Sequence, residues 1–271
     1  MTKPKPTPDV PLRMEITVEL PGTPEQVWDA IATGNGITAW FMPTDLEEHE
    51  GGRILLHMGD DESPGTVTGW EPPQRFAYVE EGWASLTGHE DAAVTPLVSE
   101  FLVEAKSGGT CVLRVVSSAF GTGADWEQEF FDDMEKGWRP YFENLRLYLT
   151  HFPGQKVTPL MVSASVEGPL DAVWSAMRQD LGVDAVGQEV SAHGIVGTVE
   201  RLSVAPEISA LLLRLSEPVP GFLGFSAHGP AVGPVITFIV GYFFSEDAAA
   251  YVEREGPAWK AWIERFAVSV A

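Results

Sequence analysis

Residues 14–20 alternate without a break: Met14, Ile16, Val18 and Leu20 point one way, Glu15, Thr17 and Glu19 the other. A period of two marks a strand with one buried face. Pro21-Gly22 ends it. Thr23-Pro24-Glu25-Gln26 then supplies a hydroxyl N-cap, a proline in the first turn and a glutamine three residues after the cap, which together start a helix. Val27, Trp28 and Ile31 form its apolar stripe. The stretches 53–58, 65–71, 75–82, 96–105 and 110–118 are rich in β-branched and aromatic residues and are split by Gly51-Gly52, Ser63-Pro64, Pro72-Pro73 and Ser107-Gly108-Gly109. A short strand over 44–48 fits before them. A long helix follows, capped at Asp125, with Trp126, Phe130, Met134, Trp138, Phe142, Leu145, Tyr148 and Phe152 in steps of three and four. Pro140 inside it predicts a kink.

The same order then returns. Leu160, Val162, Ala164 and Val166 alternate with polar or flexible partners, Gly168-Pro169 stops the strand, and a helix over 170–177 follows. Strands are predicted at 185–191, 195–203, 208–215, 222–227 and 235–244, and a helix over 246–268, interrupted at Gly256-Pro257. Landmarks repeat with the elements. Val27-Trp28 matches Val173-Trp174, Gly65-Thr66-Val67 matches Gly197-Thr198-Val199, and Trp138-Arg139 matches Trp259-Lys260. Between the first two landmarks the second copy is 14 residues shorter. Three matches in one order read as a degenerate tandem duplication. Short links between consecutive strands favour antiparallel meanders over βαβ crossovers. The predicted class is α+β: two curved antiparallel sheets, each wrapped around a long C-terminal helix, with a cavity between sheet and helix.

Composition narrows the function. The 271 residues have room for two domains. Lys and Arg number 17 against 39 Asp and Glu, a net charge of −22, so nucleic acid and anionic membrane surfaces are excluded as partners. Most of that charge, −16, lies in residues 1–155. Cys111 is the sole cysteine, so neither an internal disulfide nor a cysteine-rich zinc site forms. None of the six histidines has metal-ligand spacing, and phosphate-loop, dinucleotide and EF-hand patterns are missing. Gly224-Phe225-Ser226-Ala227-His228 comes nearest to a nucleophile elbow and lacks its second glycine. No catalytic residue, metal or cofactor is assigned. Residues 1–11 are polar and proline-rich, a predicted disordered tail without a signal peptide's apolar core. The most apolar run, 231–244, is too short for a bilayer, and the expected setting is the cytoplasm.

The capping sequence with Val27-Trp28, then Trp40-Phe41, Gly51-Gly52, Gly65-Thr66-Val67, Pro72-Pro73-Gln74-Arg75-Phe76-Ala77-Tyr78 and the Gly137-Trp138 helix form a familiar series. It resembles the START-like (SRPBCC, helix-grip) superfamily, in the branch homologous to the C-terminal domain of the Hsp90 ATPase activator. The resemblance covers about residues 12–152. It implies a START-like domain there, and the duplication then gives a linker at 153–158 and a second, shortened START-like domain at 159–271. The second half resembles the superfamily at its ends and lacks a Trp-Phe pair after its first helix. The resemblance also implies, as in many members, a hydrophobic cavity that holds an apolar molecule.

Candidate ligand-binding residues follow. Trp40 and Phe41 come just after the first helix, where packing does not require two large aromatics. Phe130, Met134 and Trp138 face the sheet from the long helix, with Trp83 near the mouth. Aromatics at such spacing also serve simply as core. His57 follows Arg53 and Leu55 on one strand face and offers an imidazole to orient a ligand. Glu80 and Glu81 offer a carboxylate at the mouth, or are solvated edge charges. One sizeable pocket is expected, in the first domain, and none of comparable volume in the second. The leading reading is non-enzymatic binding of a small apolar ligand, with a homodimer left open. The alternatives are a protein-interaction, co-chaperone-like role and a polyketide cyclase/aromatase-like enzyme.

Overall fold

The alternation at residues 14–20 becomes β1 (Val10–Pro21) in the computed structural model, with Leu12, Met14, Ile16 and Leu20 buried. The structure describes residues 7–59, 61–205, 207–229 and 233–266. Residues 1–6 of the expected tail lie outside them. Val10 and Pro11 already pair with Gly121 and Phe120, so the ordered chain starts earlier than the composition suggests. Two units divide the chain, Met1–Gly154 and Gln155–Ala271.

In the first unit α1 (Pro24–Ala32) opens on the expected reciprocal cap. Gln26 N donates to Thr23 Oγ1 at 3.4 Å and Thr23 N to Gln26 Oε1 at 2.9 Å. A short helix, α2 (Gly34–Thr38), follows at once. Then come β2 (Thr44–Leu46), β3 (Arg53–Met58), β4 (Asp61–Glu71), β5 (Arg75–Glu80), a 3-10 turn (Trp83–Thr87), β6 (Leu97–Lys106), β7 (Thr110–Gly121) and α3 (Asp125–His151). Strands β2 to β7 form an antiparallel meander and β1 closes on β7, in the order β1-β7-β6-β5-β4-β3-β2. α3 packs along β1 and runs through Pro140 without a break. Its cap differs from the expected one. Asp125 is already helical, and Glu127 accepts from the backbone of Thr122, Gly123 and Ala124 instead. Gly121 leaves room for that carboxylate, because a Cβ there would strike it.

The second unit repeats the wiring with one strand fewer. Its elements are β8 (Thr158–Glu167), α4 (Leu170–Leu181), β9 (Glu189–Ala192), β10 (Ile195–Val204), β11 (Ile208–Glu217), β12 (Gly221–His228), β13 (Pro234–Phe243) and α5 (Ala248–Glu264). The sheet order is β8-β13-β12-β11-β10-β9. α5 continues through Gly256-Pro257 rather than stopping there, and Val268 of the expected helix lies outside the described residues. Register matches as well as order. Gly65 of β4 pairs with Glu80, and Gly197 of β10 with Leu215. A Cβ at either glycine would approach a carbonyl on the neighbouring strand to 2.6 Å. Each strand shifts register shortly afterwards, between Val67 and Gly69 and between Val199 and Arg201. Both units are helix-grip domains.

Candidate functional site

The space between the first unit's sheet and α3 is closed by aromatic rings. Trp40 follows α2 and is 1% exposed; its indole N–H donates to Ala30 O at 2.9 Å, at the end of α1. Phe41, half-buried, stacks on Trp138 at 4.8 Å and 14°, and Trp138 stacks on Phe142 at 5.3 Å and 13°. The edge of Phe101 meets Trp138 at 6.0 Å. These rings leave a void of about 10 Å³, bordered also by Ile54, Phe76 and Tyr78. That is the space of a single water molecule. Where a sizeable pocket is expected, the rings pack on each other and fill it.

Beside the void the inward face of the sheet turns polar. Phe76, Tyr78 and Glu80 share one face of β5, and all three are buried. Ser63 donates to Glu80 Oε1 at 2.5 Å. Ser99 hydrogen-bonds the Tyr78 hydroxyl, and Ser99 and Ser117 exchange a hydroxyl bond at 3.1 Å. Burial pushes the Glu80 carboxyl above the usual carboxylate range, with Ser63 pulling partly against it. Burial, and then the charge of Glu80, raises the Tyr78 hydroxyl. The register carries Glu80, Tyr78, Ser99 and Ser117 onto the second unit. Glu80, opposite Gly65, corresponds to Leu215, opposite Gly197. Two residues back on each strand, Tyr78 corresponds to Leu213. Ser99 corresponds to Leu223 and Ser117 to Gly241, each opposite its counterpart on the adjoining strand. The second unit therefore builds the same fold with an apolar row at these positions, and the first unit's polar row is not needed for the architecture.

The candidate residues fall into separate places. Trp40, Phe41 and Trp138 border the void. Trp83 does not: its indole N–H reaches Thr95 O at 2.8 Å, and it packs on Trp126, Phe130 and Phe131. Phe130 and Met134 also lie outside the void's border. Eight residues of helix separate Phe130 from Trp138, a rise of about 12 Å. One helical stripe thus serves two clusters. His57 sits on the other face of β3 from Ile54 and Leu56, between Asp45 at 2.9 Å and Glu62 at 3.4 Å. Glu80, read as a mouth or edge carboxylate, is an interior one. Its signal was there to read, since period two puts it on the face of Phe76 and Tyr78. The same period puts Ser99 on the face of Leu97 and Phe101, and Ser117 on that of Val115 and Ala119. Among the described residues no cluster of His, Cys, Asp and Glu could hold a metal ion, and no helix is long and apolar enough to cross a membrane.

Residues 21–150 match the family described as Activator of Hsp90 ATPase homolog 1-like protein. Over those residues the first unit is similar to this family. The match begins at the end of β1 and ends within α3, so the matched stretch holds the whole void and polar row. No curated protein matches the chain. Solved structures are similar to this chain. CalU16 from Micromonospora echinospora is 17% identical, with 51% of this chain and 76% of that one covered and a TM-score of 0.41. The Aha1 dimer from Colwellia psychrerythraea is 16% identical, with 51% and 96% covered and a TM-score of 0.41. The di-domain ARO/CYC BexL from the BE-7585A biosynthetic pathway is 10% identical, with 96% and 100% covered and a TM-score of 0.44.

Proposed function

We propose that the first unit binds a small, largely apolar molecule between α3 and the sheet. The observation that carries this reading is the contrast between the units. One wiring is built twice, and only the first copy brings Tyr78, Glu80, Ser63, Ser99 and Ser117 to the inner face beside an aromatic-lined void. A polar row inside an apolar enclosure orients a ligand that the aromatic rings desolvate. The void of about 10 Å³ admits nothing larger than water, so binding requires the rings to part. Phe41 is the ring to move, being half-buried while Trp40 and Trp138 are fully packed.

Native mass spectrometry of the purified chain, with solvent extraction, tests the reading alongside titration with the fluorescent apolar probe N-phenyl-1-naphthylamine. A co-purifying molecule or saturable probe binding is the expected result. An empty extract together with no saturable binding would remove the proposal.

A second reading, acid–base chemistry on a bound substrate, draws on the same inward-facing Tyr78 and Glu80. A buried carboxyl beside a phenol can donate and accept protons in a dry enclosure. It calls for turnover: a ligand recovered unchanged after prolonged incubation would favour simple binding.

A further inference from the structure

We propose that the molecule taken up between α3 and the sheet is a hydrophobic amine, held with its ammonium group against Glu80 and its apolar body among the rings. The inference rests on the binding reading above and specifies the ligand's chemistry.

Glu80 is an interior carboxyl with no cation. It is 7% exposed, its hydrogen bond comes from the neutral Ser63 hydroxyl, and no Lys, Arg or His of the described residues acts on it. Nor does any basic side chain border the void. A buried carboxyl is unfavourable unless something compensates it, and the fold does not require this one, since Leu215 occupies the corresponding place in the second unit. A neutral ligand could be oriented by Tyr78, Ser99 and Ser117 alone. What a carboxyl adds to hydroxyls is the capacity to carry a negative charge, and that is of use toward a positive ligand.

The surroundings agree with that choice. Trp40, Phe41, Phe76, Tyr78, Phe101 and Trp138 border the void, and ring faces attract a desolvated cation. Their apolar surface matches a hydrocarbon or aryl body. Residues 1–155 carry a net charge of −16, which concentrates cations around the unit and repels fatty acids and other anions. The protons balance by either route. Without ligand, burial favours the protonated form of Glu80. An ammonium that enters displaces this proton to solvent, whereas an uncharged amine that enters takes it directly. Both routes end in the same carboxylate–ammonium pair, shut away from water by the ring stack.

The test is a displacement series on the full chain. N-phenyl-1-naphthylamine is bound first, then competed with dodecylamine, dodecanol or dodecanoate, each below its micelle concentration and in salt high enough to screen surface charge. The expected result is dodecylamine displacing the probe at about one tenth the concentration of dodecanol, with dodecanoate weakest. In E80Q the ratio of amine to alcohol should fall to about one, because the amide keeps the shape and loses the charge. Dodecanol equal to or better than dodecylamine on the native chain would overturn the inference while leaving apolar binding intact, and this comparison needs no variant. An amine preference that survives in E80Q would also overturn it. No probe binding at all counts against the binding reading itself.

Discussion

Glu80 stands opposite Gly65 across β4 and β5, in the place that Leu215 holds opposite Gly197 across β10 and β11. Both side chains are buried, at 7% and 2% exposure. One copy of the fold thus tolerates a carboxyl where the other has the hydrocarbon that packing would choose. The energetic consequence can be measured without knowing any ligand.

Glu80 should make the free protein less stable as pH rises. Its folded pKa is raised by burial, so the neutral form is the one folding favours. That contribution is complete below the unfolded value of about 4.3 and is lost as pH climbs through the raised folded value. Urea unfolding of E80Q should match the native chain near pH 4 and exceed it at pH 8. Parallel curves for the two across this window would contradict the assignment.

Glu127 should act with the opposite sign. Burial alone would raise its pKa, but the bonds from Thr122, Gly123 and Ala124 outweigh that and hold it below the ordinary range. Its contribution is present above the unfolded value and is lost as pH falls through the lowered folded one. E127A should lose about 0.5–2 kcal/mol at pH 7, as for loss of a helix cap. The deficit against the native chain should shrink toward pH 3, and denaturant midpoints at the two pH values decide it.

Two buried tryptophans should respond differently to phenylalanine. Trp40 donates to Ala30 O, whereas Trp174 Nε1 is buried without a partner. W40F strands a carbonyl, at a cost of about 1–3 kcal/mol beyond the lost ring volume. W174F removes an unsatisfied donor and should cost less than W40F. Chemical denaturation followed separately for each unit's transition checks the order.

Opening the ring stack should promote uptake. F41A removes the half-buried ring that covers Trp138, and so should tighten N-phenyl-1-naphthylamine binding relative to the native chain. W83A, in the other cluster, should lower stability by about 3–5 kcal/mol and leave the probe affinity of the folded fraction unchanged. Equal effects of F41A and W83A on affinity would mean the void is not the site.

Local patterns in the sequence were enough to place most elements. Alternation at 14–20, the Thr23–Gln26 cap, the glycine and proline punctuation and the stripe on α3 each act over a few residues, where backbone geometry and burial are decided together. The repeated landmarks were legible because they are steric requirements: Gly65 and Gly197 each lie against a carbonyl of the next strand. The helix interruption expected at Gly256-Pro257 was misread, since packing along α5 outweighs one missing hydrogen bond.

Which aromatics meet was beyond the sequence. Phe130 and Trp138 share the helical spacing of α3, yet only Trp138 reaches the void. The reason is that a helix distributes its stripe along its length, and the curvature of the sheet decides what each turn touches. Whether the cavity is open or filled is likewise a sum over rings from the segment after α2 and from β5, β6 and α3, remote in sequence. The sequence by itself determined the duplicated strand–helix order, the acidity and the facing of Glu80 with Tyr78, all of which follow from local period and composition. Only the tertiary structure decided that Glu80 is interior, that Ser63, Ser99 and Ser117 extend its row, and that the rings close above them, because burial depends on what the rest of the chain folds over a residue.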